Sequence, residues 1–164
     1  MRILGIDPGL ATIGFGVIDV EGDKRRLIQF GTVNTRAGVT TPLRLRSIYR
    51  GINQLLDTYE PDDVAFEELF FSKNITTGMT VSQARGVILL AVAERTENMY
   101  EYTPNQIKQA VAGYGRADKH QVQDMVRRLL NMQEIARPDD AADALAVALT
   151  HANSMHMKNL FKIK

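Results

Sequence analysis

Cysteine is absent from the sequence, and histidine occurs three times, as His120, His151 and His156, with no metal-binding spacing among them. These absences exclude disulfides, thiolate chemistry and zinc held by cysteine. A one-sided charge is lacking too, because 20 Lys and Arg stand against 19 Asp and Glu, a formal net charge of +1. Any contact with nucleic acid must then come from a local patch rather than from the overall field. The opening MRILGID carries an acid at position 7 and suits neither a secretion signal nor a membrane span. No membrane partner and a cytoplasmic location are therefore expected. No internal repeat or low-complexity tract interrupts the chain. What is present is an ordinary globular composition, 45% hydrophobic and 24% charged, in 164 residues, enough for one domain with a substantial core.

Periodicity and punctuation divide the chain. RILGID at 2–7 reads as a strand ending in the turn DPG, Thr12 to Val20 as a second strand, and EGDK at 21–24 as a hairpin turn before a third strand over 26–35. Thr41 as N-cap and Pro42 at the first helical position open a helix running to Tyr59, with Leu45, Ile48, Ile52, Leu55 and Leu56 on one face. Val64 to Glu68 is a fourth strand, and LFFSKNITT is a loop rich in aromatics. A long helix is expected over 79–98, a short strand over 100–103, and a helix from Pro104 to Ala112. GYGRADK at 113–119 reads as a loop, 121–130 as a helix, and a closing helix starts after Pro138. Residues 1–154 are expected to form the domain, with 155–164 as a flexible tail.

This order places acids together. A three-strand meander sends strands one and three the same way, and a helical crossover delivers strand four parallel to them. Beside strand one, strand four ends level with it, so Asp7 and Glu67 meet at the carboxyl edge of the sheet, where ligands of open α/β sheets gather. DPG is by itself a favoured β-turn sequence, and Asp139 and Asp140 can be simple helix caps. Asp143 is a turn further in, among alanines, and shares a helix face with Asp140. Carboxylates held side by side repel unless a proton or cation lies between them. Oxygen ligands of this kind suit magnesium or manganese, and two such ions can stabilise the attacking and leaving oxygens of a phosphodiester.

With these acids in view, the sequence resembles the RuvC family of Holliday-junction resolvases. GIDPG at 5–9, GFGVI at 14–18, E-x-x-F at 67–70, SQARGV at 82–87, IKQAVAGYGRADKHQVQ at 107–123 and DAADALAVALTH at 140–151 look like the family's segments, in its order and spacing. The resemblance implies an α/β, ribonuclease H-like fold: a mixed five-stranded sheet in the order 3-2-1-4-5, strand 2 antiparallel, with helices on both faces. It also implies a magnesium-dependent endonuclease acting as a homodimer on four-way DNA junctions, with two Mg²⁺ per subunit and Mn²⁺ able to substitute. Paired symmetric nicks would leave 5′-phosphate and 3′-hydroxyl ends. The RuvA–RuvB branch-migration complex is the implied partner.

The family's catalytic carboxylates and metal ligands fall on Asp7, Glu67, Asp140 and Asp143. Glu68 leaves a choice between neighbouring acids, and the spacing to Phe70 supports Glu67. Basic residues at the scissile DNA fall on Lys108 and Lys119, and an aromatic that meets bases falls on Phe70, with Phe71 the alternative. Arg116 stands between the two lysines in the glycine-bearing loop and is expected to touch phosphate. An actin-like phosphotransferase is a rival suggested by DPG ahead of a glycine-bearing hairpin, but the chain is too short for two lobes. A non-catalytic junction-binding module is the other rival, and the full set of four acids argues against it.

Overall fold

A computed structural model describes residues 1–69 and 74–164. The elements follow in the order β1 Arg2–Asp7, β2 Thr12–Glu21, β3 Lys24–Asn34, α1 Thr41–Tyr59, β4 Asp63–Glu67, α2 Ile75–Ala93, β5 Met99–Tyr102, α3 Pro104–Ala112, α4 Lys119–Leu129 and α5 Asp139–Asn153. A 3₁₀ helix, Met155–Phe161, closes the chain. One sheet holds all five strands in the order β3-β2-β1-β4-β5. β1 pairs antiparallel with β2 and parallel with β4, and β4 pairs parallel with β5. The expected strand order and the antiparallel second strand are both present.

The alternation of β1 builds two cores. Leu4 and Ile6 face one side, where they meet Ile48 and Ile52 of α1 and Ala84 and Ile88 of α2. Ile3 faces the other, with Leu145, Leu149 and Ala152 of α5 and Ile107 of α3. A strand covered on both faces has no room for charge until its end, which is where Asp7 lies.

The face toward α5 is lined by glycine, and this decides how close the helix comes. A Cβ on Gly5 would lie 2.2 Å from the Ala144 carbonyl oxygen, and one on Gly14 would lie 1.9 Å from that of Asp140. On Gly16 it would meet Leu145 Cδ2 at 2.6 Å. Glycine within a strand marks such close approach of another backbone. α5 itself is buried along nearly its whole length from Ala141 to Ala152, which explains its alanine content.

Some boundaries differ from expectation. α2 begins at Ile75 rather than 79, because the Asn74 side chain accepts the Thr77 backbone N–H and caps the helix there, and it ends at Ala93, short of 98. α4 starts at Lys119, where Asp118 and Gln121 form a reciprocal capping box. Residues 155–164, expected as a flexible tail, make defined contacts with β4 and β5. Lys158 Nζ donates to Asp63 Oδ2 at 2.8 Å, the Phe161 ring lies 4.7 Å from that of Tyr102, and Ile163 N–H donates to the Met99 carbonyl at 2.9 Å. Lys162 thereby bridges to Tyr100 in antiparallel sense. The tail gives the β5 edge a partner and Asp63 a counter-charge, and both reasons hold it down.

Candidate active site

Asp7 and Glu67 end β1 and β4, one residue beyond the paired Ile6 and Phe66. Asp7 also pairs across the sheet with Gly14. Because Gly14 has no side chain, the first turn of α5 rests on it, and Asp140 arrives beside Asp7. One carboxylate oxygen each from Asp7, Asp140 and Asp143 lies within 4.8 Å of the others. The three acids come from a strand end and one helical turn, elements separated by more than 130 positions in the chain.

The electrostatics are those of a crowded anionic site. Burial first, and then the charges of Glu67, Asp143 and Asp140, push Asp7 up to about 9. Glu67 is raised by burial and by Asp143, with Asp7, Lys119 and Lys108 pulling the other way. Asp143 is raised by burial against the opposing pull of Lys119. Glu67 is among the charges that raise Asp7.

Basic residues close one side. Lys119, at the first position of α4, holds its Nζ 3.3 Å from Asp143 Oδ2 and 3.6 Å from Asp139 Oδ2. Lys108 is carried by α3, whose start is fixed by a capping box of Thr103 and Gln106. Glu67, Lys108, Lys119 and Asp143 line a cleft of about 300 Å³. A larger groove of about 960 Å³ between β3 and the α4–α5 connection includes none of the clustered acids. Arg116 is exposed on the 113–118 bend and does not line the cleft. Phe70 and Phe71 lie outside the described residues.

Other participants were not foreseen. Asp139 was expected to cap α5, but Pro138 holds the N-cap position and Asp139 makes no cap hydrogen bond. Asp139 Oδ1 instead accepts from Gln123 Nε2 at 3.1 Å and from Arg137 NH1 at 2.7 Å. Gln123 is buried and ties α4 to the start of α5, which sets Lys119 against Asp143. The available signal was its spacing, four residues after Lys119 and so on the same helical face.

Comparisons with known proteins bear on this arrangement. Residues 3–151 match the family model described as crossover junction endodeoxyribonuclease RuvC. The crossover junction endodeoxyribonuclease RuvC of Alkaliphilus metalliredigens (strain QYMF) is 54% identical over 164 residues, covering 100% of each chain. Thermus thermophilus RuvC superposes with a TM-score of 0.88 at 40% identity. T. thermophilus RuvC in complex with Holliday junction substrate does so with 0.90 at 39%, and both structures cover 96% of each chain.

Proposed function

The chain belongs to the RuvC family of crossover junction endodeoxyribonucleases, and from that premise we propose that Asp7, Glu67, Asp140 and Asp143 are the catalytic carboxylates with which it resolves four-way DNA junctions. The observation that carries the assignment is the meeting of Asp7, Asp140 and Asp143 oxygens within 4.8 Å.

The enzyme is a divalent-metal nuclease, and the donor set fits that cofactor. All four side chains are hard oxygen donors, and their mutual repulsion, which adds to burial in raising Asp7 to about 9, is relieved by a cation between them. Two magnesium ions held there, with manganese able to replace them, would lower the pKa of a water and stabilise charge on the leaving 3′ oxygen. Asp7 and Glu67, fixed at adjacent strand ends, define one wall of the site, and Asp140 and Asp143 define the other from the rigid first turns of α5. Lys119, which sits 3.3 Å from Asp143 Oδ2, would add positive charge at the scissile phosphate. Lys108, on the opposite lip of the cleft, adds positive charge from a second helix. Phe70 meets bases at the branch point, and Arg116 takes a neighbouring phosphate. The ends left are a 5′ phosphate and a 3′ hydroxyl.

Paired nicks need two sites related by symmetry. α2 presents exposed Ile75, Met79 and Leu90 on the face away from the sheet, with open space around Gly86 on the same stripe. Positions 75, 79, 86 and 90 recur at helical spacing, and a second copy of the chain covers them in a homodimer. A branch-migration complex of the RuvA–RuvB type and a cytoplasmic setting complete the reading.

The test is cleavage of a synthetic mobile junction with magnesium, mapping both nicked strands. Symmetric paired nicks by the parent, and none by Asp7→Asn although the junction is still bound, are expected. Parental nicking rates in Asp7→Asn rule out the assignment.

A further inference from the structure

Charge is distributed far less evenly than the net value of +1 suggests. Between Asp23 and Asp57 the sequence holds seven Lys or Arg and no acid. This stretch forms β3, the following loop and most of α1. Two of its cations reach the carboxyl edge of the sheet. β3 runs parallel to β1 with β2 between them, so its end is level with Asp7 at two strand spacings, roughly 10 Å away.

Arg44, in the first turn of α1, is half-buried, and its Nε donates to Thr35 Oγ1 at 2.9 Å. The Thr35 hydroxyl in turn donates to the Leu10 carbonyl at 2.7 Å, and Thr35 N–H donates to the Ala11 carbonyl at 2.9 Å. The guanidinium is thus held against the turn that leaves Asp7, with its two terminal nitrogens uncommitted among the described residues. Arg36 is exposed one residue after Thr35. Neither arginine forms an ion pair among the described residues. Lys119 and Arg137, by contrast, are committed, Lys119 to Asp139 and Asp143 and Arg137 to Asp139. A fork-shaped cation held in place without a carboxylate suits a phosphate, which it can take with two parallel N–H groups.

We propose that Arg36 and Arg44 form a second cationic flank that binds backbone phosphates of the junction, on the side of the acids opposite Lys108 and Lys119. The inference rests on the nuclease reading above. The separation of roughly 10 Å places this flank at a phosphate near the one being cut but distinct from it. The flank fixes which arm enters the site and adds no chemistry. Thr35 is its positioning residue, because it orients the Arg44 fork.

The test is the salt dependence of junction binding in EDTA, which blocks cutting. A labelled four-way junction is titrated with the parent, Arg36→Gln, Arg44→Gln, the double variant and Arg44→Lys. Each lost phosphate contact lowers the slope of log K against log salt by about 0.9. The double variant is expected to bind roughly tenfold more weakly at physiological salt, with a slope shallower by about 1.8. Arg44→Lys keeps most of the slope, which a purely structural role for the guanidinium would not predict. An unchanged slope in the double variant overturns the flank, whatever happens to its melting temperature. Arg36→Gln, exposed and without hydrogen-bond partners to lose, provides the same test should Arg44 variants fold poorly. If the parent cuts the junction and the slopes do not move, only the flank is wrong. If the parent neither binds nor cuts, the nuclease reading fails and the flank fails with it.

Discussion

α5 carries a polar cluster at each end, and the two could hardly differ more. At its N-terminal end Asp140 and Asp143 stand with Asp7 and Glu67, and Asp7, Glu67 and Asp143 are all raised. At its C-terminal end His151 is fully buried, yet its Nδ1 meets the Tyr102 hydroxyl at 2.8 Å and its Nε2 meets Asp63 Oδ2 at 2.8 Å. Lys158 supplies Asp63 with a further donor. Burial pushes the Asp63 carboxyl up, but the His151 and Lys158 hydrogen bonds outweigh it and hold the group below its ordinary range. About 12 Å of helix separates residues 143 and 151 at 1.5 Å per residue. Over that span the same helix passes from a cluster that needs a cation from outside to one that contains its own. An unsatisfied polar group is expensive in a core, so the unfinished cluster sits at the sheet edge and the finished one is sealed inside.

The largest way to break this contrast is to remove an acid from the open end. Asp143→Asn is expected to lower junction cutting by roughly a hundred- to a thousandfold, since removing a single charge-stabilising group typically costs 10²–10³. Without metal the same change removes like-charge repulsion, so the variant should melt no lower than the parent. Cleavage assays and metal-free melting curves on one preparation test both halves. At the closed end the signs reverse. His151→Ala leaves the buried Asp63 with one partner fewer and is expected to cost about 3–5 kcal/mol. At about 2–4 °C per kcal/mol, melting should fall by roughly 10 °C, while cutting per folded molecule at low temperature changes only severalfold. A thousandfold loss of cutting at unchanged stability in His151→Ala would make that end part of the active site.

Gly14 sharpens the comparison because it acts on the open end through backbone alone. A methyl group there collides with the Asp140 carbonyl at 1.9 Å, and the helix turn bearing both acids must move. Gly14→Ala is expected to destabilise by about 1–3 kcal/mol and to lose cutting by more than that stability loss explains. Gly16→Ala meets mainly the Leu145 side chain, with the nearest backbone atom at 3.0 Å rather than 1.9 Å, and should be milder on both counts. Equal effects from the two substitutions would separate the glycine pattern from the placement of Asp140.

The open end was more legible in sequence than the closed one, and the reason is local pattern rather than distance along the chain. Asp7 and Glu67 could be brought together from strand directions alone, and Asp140 and Asp143 from helical spacing. The partners of the closed end are 49, 88 and 95 positions apart, and no local pattern links Asp63 or Lys158 to His151. The contacts of residues 155–164 escape the sequence for the same cause, since they are made to a carboxylate on β4 and the edge of β5. Other misses were legible. D-x-x-Q at 118–121 is a capping box that announces Lys119 as the start of a helix, and Asn74 three residues before Thr77 marks the start of α2. Glycines at 5, 14 and 16 inside strands announce a backbone pressed against the sheet. The Phe70 loop is outside the described residues, and its part in the reading still rests on resemblance.

The smallest expected effect, and the finest discriminator between the two ends, is the pH dependence of stability. Asp7 is raised from 3.8 to about 9 in the fold. Between those values the folded chain holds a proton that the unfolded chain has lost, so stability declines as pH rises across that window. Glu67 and Asp143, raised in the same direction, add to the decline. Asp63 is lowered, so its contribution is complete above 3.8 and disappears only as pH falls through its folded value. Metal-free protein should therefore melt at progressively lower temperature from about pH 5 to 9, with a separate loss at strong acid. Asp7→Asn should flatten the alkaline limb and leave the acid limb in place. Saturating magnesium should do the same to the parent, because a bound cation keeps the acids ionised and paid for. An alkaline limb that survives both Asp7→Asn and magnesium would assign it to groups outside the acid cluster and remove the electrostatic distinction between the two ends of α5.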